Sequence, residues 1–411
     1  MLPFARGERA PAVASTHVSR AARTIPPWLL PAVAFVVVVS LVTALSLYLG
    51  SDDGSTVDDA ADVSPATAAD VAPPDSGALV GVSLDGAQES LADYADRLGR
   101  TPAVMVTFAE LPFAENDLTT VDGAVTQARE AGSSVLLTLE PLDGLDAVDD
   151  AVIDDLVTRL RAWNDSGVGV FVRFAHEMNG SWYAWGQQPE AYVATFRRVA
   201  EAVHAGAPAS SMMWAPSYAG GYPFDGGEWS ADRADQRVLD TDGDGRLTER
   251  DDGYAPYWPG DDAVDWVGMS LYHLGQVYPW GENEVPSAGK LVDQLRGDYA
   301  VPGTQEQVVP DFYAEYAVRH GKPVSITETA ALYVPGEPGP SERAVKEAWW
   351  SQVWDPALVE ELPGIKMVNW FEWDKDEPET GGRIDWTVTR DADLAAAYAD
   401  ALPAWARFAD R

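Results

Sequence analysis

Cysteine is absent from the 411-residue chain, which excludes disulfides and thiolate metal centres. Histidine is scarce: His176 shows no metal-ligand spacing with His17, His204, His273 or His320, so it is not expected to ligate a metal. Positive charge is in short supply too, with 28 Lys and Arg against 65 Asp and Glu and a formal net charge of −37. No basic patch is segregated in the part expected to fold, which argues against nucleic acid or an anionic lipid surface as partner; a neutral or cationic substrate fits better, and an acidic surface can also serve solubility alone. No G-x-G-x-x-G or P-loop follows any apolar run, which weakens a nucleotide-binding reading. Residues 51–76 lack a single aromatic and consist mostly of Asp, Ala, Ser, Thr, Pro and Val. Such a segment cannot bury enough apolar surface to offset its ordering entropy, and it is expected to be a disordered acidic linker.

What the chain does have begins with a membrane signal. Residues 1–30 carry Arg6, Arg9, Arg20 and Arg23 and lead into an uncharged apolar run over 31–49. That run is long enough to span a bilayer and exceeds the roughly 7 to 15 residues of a secretory apolar segment. The arginines before it and Asp52, Asp53, Asp58 and Asp59 after it predict a single-pass transmembrane anchor with residues 1–30 cytoplasmic and everything downstream outside the cell. Cleavage of the same segment would instead release a secreted protein. The helix is the only part expected to meet the membrane.

From residue 77 onward eight apolar runs recur: 78–84, 103–108, 134–141, 169–177, 210–217, 264–272, 323–330 and 365–373. Amphipathic stretches such as 150–163, 191–204 and 310–320 separate consecutive runs. Near-continuous apolar strands alternating with helices indicate a parallel sheet covered on its outside, and eight repeats over 77–411 match a (β/α)8 TIM barrel with insertions.

In such a barrel the chemistry sits at the C-terminal ends of the strands. Run four ends in His176-Glu177 and run seven in Glu328, so two carboxyls would face each other across the mouth, the requirement of glycoside hydrolysis. Trp182, Tyr183 and Trp185 crowd the loop after Glu177, directly behind an Asn-Gly break, and the apolar faces of sugars stack on such rings. A carboxyl among rings is kept protonated, whereas one that receives hydrogen bonds stays charged. Tyr272 closes run six beside Glu328 and can donate to it. Glu177 is therefore assigned as acid/base and Glu328 as nucleophile. Glu110, Glu140 and Glu372 also lie near strand ends and are the rivals, and Trp214, Tyr218, Tyr222, Trp280, Trp370 and Trp373 are further candidate rings.

With these residues identified, the chain resembles glycoside hydrolase family 26, a family of β-mannanases and mixed-linkage β-glucanases. The resemblance is most specific in RFAHEMNGSWYAWG, similar to that family's acid/base segment, and in ITETA, similar to its nucleophile strand. It implies Glu177 as acid/base, Glu328 as nucleophile, His176 and Trp182 at the cleavage point, Tyr272 bonded to the nucleophile, and a ring from strand eight, either Trp370 or Trp373. It further implies retaining, endo-acting hydrolysis of a β-linked polysaccharide, most commonly β-1,4-mannan, with mixed-linkage β-glucan and β-1,3-xylan as alternatives; retention would set the carboxyls roughly 5 to 5.5 Å apart. No cofactor is expected for catalysis. Rival functions are an envelope-glycan transglycosylase and a non-catalytic carbohydrate-binding protein.

Between runs five and six, DTDGDGRLTERD (240–251) has the oxygen spacing of an EF-hand-type calcium loop. Asp240, Asp242, Asp244 and Asp251 would contribute carboxylates and Arg246 its carbonyl to a structural Ca²⁺, with Glu249 a substitute for Asp251.

Overall fold

Eight of these runs form strands in the computed structural model, which describes residues 71–276, 280–299, 307–377 and 380–409. They are β1 (Ala78–Leu84), β2 (Val104–Glu110), β3 (Ser134–Glu140), β4 (Val170–Phe174), β5 (Ser210–Trp214), β6 (Trp266–Ser270), β7 (Val324–Thr329) and β8 (Ile365–Glu372). Each pairs in parallel with the next, and β8 closes on β1 from Leu79↔Met367 to Leu84↔Glu372. The result is a (β/α)8 barrel. Helices such as Glu115–Ala131, Asp150–Asp165 and Pro189–Gly206 return the chain between strands. The 310–320 stretch contributes a π-type turn over Tyr313–Arg319.

Period-two alternation divides each strand between two layers. Val104, Val106, Leu136, Phe171, Met213, Trp266 and Met367 fill the barrel interior. Val135, Leu137, Val170, Val172, Met212, Trp214, Val324, Ile326, Val368 and Trp370 pack outward against the helices. Inward-facing residues at the C-terminal ends of the strands thus line one mouth.

The structure shortens the expected linker. Val71 is buried in the interior cluster and its carbonyl accepts the Trp266 indole N–H at 3.0 Å, while Lys366 reaches the Pro74 carbonyl and Arg407 binds Ser76. Residues 71–76 therefore plug and strap the barrel instead of belonging to a tether. The expected span 31–49 lies outside the described residues, and among those described no helix is long and apolar enough to cross a membrane.

Candidate active site

The strand that carries the His-Glu pair stops earlier than its apolar run suggests. Ala175 and Glu177 adopt φ of 46° and 54°, left-handed values that side chains with a Cβ rarely take. Three backbone bonds hold this turn: Ala175 N–H to Leu139 O at 2.9 Å, Glu177 N–H to Ala215 O at 2.8 Å, and Gly180 N–H to Glu177 O at 2.9 Å. The distortion aims Glu177 at the mouth, where its Oε2 accepts from the Trp182 indole at 3.1 Å.

Glu328 reaches the same mouth by another irregularity. Regular alternation would turn it outward with Val324 and Ile326, but the register slips between Met269 and Ser270, so Ser270 pairs with Glu328. A one-residue slip flips the face of a strand residue. Inside, Glu328 Oε1 accepts from the Arg173 guanidinium and Oε2 accepts from the Tyr272 hydroxyl at 2.8 Å. Arg173 also donates to Ser270 Oγ at 2.8 Å, and both members of the ion pair are buried.

The two carboxyls therefore differ in environment. Glu328 is gripped by a fixed positive charge and a hydroxyl. Glu177 has one indole donor, and burial followed by the charge of Glu328 pushes its carboxyl up to about 7, against the smaller opposing effects of Arg173, Trp182 and Ser270. One carboxyl held ready to give a proton beside one gripped by a cation is the pairing that splits acid from nucleophile.

The rivals separate on the same grounds. Glu372 is fully buried, with its carboxylate taking the Val388 and Thr389 amides and the Thr389 hydroxyl, so it anchors the chain after β8. Glu140 shares the inward face of β3 with Leu136, and burial and the Glu328 charge raise its carboxyl to about 8. It is a third acid of this mouth.

The rings sort likewise. Trp182 is half-buried at Glu177, and Trp373 stacks on Phe371 at 5.5 Å with its indole donating to Ser83 Oγ at 3.1 Å. Two expected sugar-facing rings are corrected. Trp370 points outward, 0 % exposed, against Tyr398. Trp185, also 0 % exposed, stacks on Tyr183 at 4.3 Å and donates to the His176 carbonyl at 2.7 Å, so it supports the turn from behind. His176 is buried against Phe108, Tyr183 and Trp185; burial, then the Arg173 charge, push its imidazole well below the usual range and keep it neutral. Arg173 and Ser270 escaped the sequence reading, and Glu140 stood there only as a rival carboxyl. The signal available was an arginine inside the apolar run VFVRF, because a charge on a buried strand needs a partner.

Residues 74–229 match the sequence model of Glycosyl hydrolase family 26. The family 26 resemblance holds over that stretch. The family 26 match takes in β1 to β5 and Glu177, and Glu328 lies beyond it. Among curated proteins the chain is similar to Beta-1,3-xylanase TXYA of Vibrio sp., 27% identical over 48% of this chain and 39% of that protein. It is also similar to Endoglucanase H of Acetivibrio thermocellus, 23% identical over 66% of this chain and 25% of that protein. The chain thus spans two fifths or less of the length of either relative. A Cellulomonas fimi endo-beta-1,4-mannanase double mutant shares the fold, with a TM-score of 0.52 and 18% identity over 81% of this chain and 72% of that one.

In the acidic loop, carboxylate oxygens of Asp240, Asp242 and Asp244 lie within 4.8 Å of one another, and Gly245 takes φ 87° at the sharp turn. Asp251 does not converge with them: Oδ1 accepts the Thr241 amide at 2.7 Å and Oδ2 the Thr248 amide at 2.7 Å, closing the loop. Arg246 is exposed and its amide donates to Asp244 Oδ1 at 2.9 Å, while Arg250 pairs with Asp242 and Asp244.

Proposed function

We propose that the chain is a retaining, endo-acting glycoside hydrolase that cleaves a β-linked polysaccharide, with β-1,4-mannan as the first substrate. The observation that carries this is the asymmetric pair: Glu328 between Arg173 and Tyr272, and Glu177 pushed up to about 7 under one indole. Glu177 gives its proton to the glycosidic oxygen as Glu328 attacks the anomeric carbon and the glycosidic bond breaks. Glu177 then takes a proton from the water that releases the sugar. Trp182 and Trp373 are the rings on which the sugar rests, and Tyr272 and Arg173 hold Glu328 in line. β-1,3-Xylan is the second reading, favoured by the likeness to a beta-1,3-xylanase.

The test is hydrolysis of linear mannan, glucomannan, mixed-linkage β-glucan and β-1,3-xylan by the full-length chain, with and without a calcium chelator. Cleavage of one backbone with products of retained configuration is expected. Binding without cleavage of any would replace the hydrolase by a carbohydrate-binding protein, and lengthening of oligosaccharides by a transglycosylase. A structural Ca²⁺ at Asp240, Asp242 and Asp244 is part of the proposal: Asp240 Oδ1 is enclosed with no partner among the described residues, the kind of oxygen a cation would satisfy. The ion would brace the wall behind the cleft, since Tyr254, just past the loop, accepts the Ala219 amide at 2.9 Å. Chelation then lowers the melting temperature and spares the rate below it. The proposal also keeps residues 31–49 as the anchor that holds the barrel outside the cell.

A pH profile follows from Glu177. The reaction needs it protonated, so kcat/KM falls about tenfold per pH unit above about 7, measured by initial rates between about pH 5 and 9. A flat profile to the alkaline end would remove Glu177 from the acid role.

A further inference from the structure

We propose that Trp229 is a stacking platform for a sugar unit on the leaving-group side of the cleft, beyond the bond being cut. The inference rests on the glycoside hydrolase reading. Among the described residues Trp229 is the one exposed tryptophan, 42% accessible, and its ring meets no other described ring. Single exposed apolar residues are common and usually need no account. This one differs in how its backbone is held.

The segment after β5 is pinned to the acid/base loop at successive points. Ser181 Oγ donates to Phe224 O at 2.6 Å, Trp229 N–H donates to Ser181 O at 3.0 Å, and Ala231 N–H donates to the buried Gln187 Oε1 at 2.9 Å. Gly227 lies so close to Ser181 that no Cβ would fit there. Phe224 meets Trp182 edge-on at 4.9 Å, and Trp182 is the indole that bonds Glu177. Thus an exposed ring stands on a fixed backbone that is bonded to Ser181, the residue before the Trp182 that bonds Glu177.

The side of the cleft follows from the chemistry. The acid protonates the oxygen that departs with the leaving group, so the sugars beyond that bond run along the wall that carries the acid. A tryptophan there, with only two side-chain torsions to fix on a backbone already held, gains contact with the apolar face of a sugar at little cost in side-chain freedom. Nothing charged is needed, which suits a neutral polysaccharide.

Affinity electrophoresis of the full-length wild type, Trp229→Ala and Trp229→Phe in gels containing galactomannan, mixed-linkage β-glucan or β-1,3-xylan tests this. The wild type is expected to be retarded by at least one polymer, Trp229→Ala to bind it about tenfold more weakly, and Trp229→Phe to fall between. KM for that polymer should rise by the same factor with kcat unchanged. Turnover of an aryl β-glycoside, whose leaving group does not extend past the first position, should be unchanged. Equal retardation of Trp229→Ala and wild type, a parallel loss on the aryl glycoside, or no retardation of the wild type by any polymer would each overturn the assignment. Retardation that depends on Trp229 without cleavage would uphold the platform while the hydrolase reading fails.

Discussion

Glu328→Ala is expected to stop turnover of polymer and activated aryl β-glycoside alike, by at least about 10⁴-fold, because on the proposed mechanism Glu328 is the group that bonds the anomeric carbon. Glu177→Ala behaves differently. It should lose about 10² to 10⁴-fold on the polymer, whose leaving group needs a proton, and far less on an aryl glycoside, whose leaving group does not. Azide separates the two roles. In Glu328→Ala it occupies the space of the lost carboxylate and attacks the anomeric carbon as the glycosidic bond breaks, giving a glycosyl azide of inverted configuration. In Glu177→Ala the sugar is first transferred to Glu328 and azide then displaces it, giving the retained configuration. Proton NMR of the products reads the outcome. Retained azide product from Glu328→Ala would mean that the nucleophile is elsewhere, and Glu140, the third acid of the mouth, would be the next candidate.

The strands were legible because a parallel sheet buried on both faces reads as unbroken apolar runs, and β1 matches its run residue for residue. Departures come where the backbone breaks regularity. Nothing in Phe174-Ala175-His176-Glu177 signals two left-handed residues, since neither Ala nor Glu favours that region; the turn exists because Leu139, Ala215 and Gly180 hold it. The slip that turns Glu328 inward is equally silent, being set by pairing with β6. Trp370 and Trp373 could have been told apart by parity. Met367 lies inside and Val368 outside, so Trp370 faces the helices while Phe371 and its stacked neighbour Trp373 face the mouth. For Asp251 spacing alone misled, because a carboxylate at the last loop position can close the loop on backbone amides as well as on a cation.

Arg173→Met is expected to damage stability and rate together, and a second substitution should part them. The wild-type ion pair is enclosed, with side-chain exposures of 0% for Arg173 and 4% for Glu328. Removing one member of such a pair leaves a buried charge without compensation, which costs roughly 3 to 5 kcal/mol, while replacing both members can be close to neutral. Arg173→Met should therefore lower the melting temperature sharply, and Arg173→Met/Glu328→Gln should recover most of the loss in thermal or urea unfolding. The rate is not expected to recover, because on the proposed mechanism the double variant lacks its nucleophile. In Arg173→Met alone, kcat should fall about 10² to 10³-fold, since the guanidinium both orients Glu328 and supplies a fixed charge in a water-poor site. Its charge also opposes the rise of the Glu177 carboxyl, so the alkaline limb of the surviving activity should move above about 7. A double variant no more stable than the weaker single one would mean that Arg173 acts through packing. An unmoved alkaline limb would mean that its charge does not reach the acid.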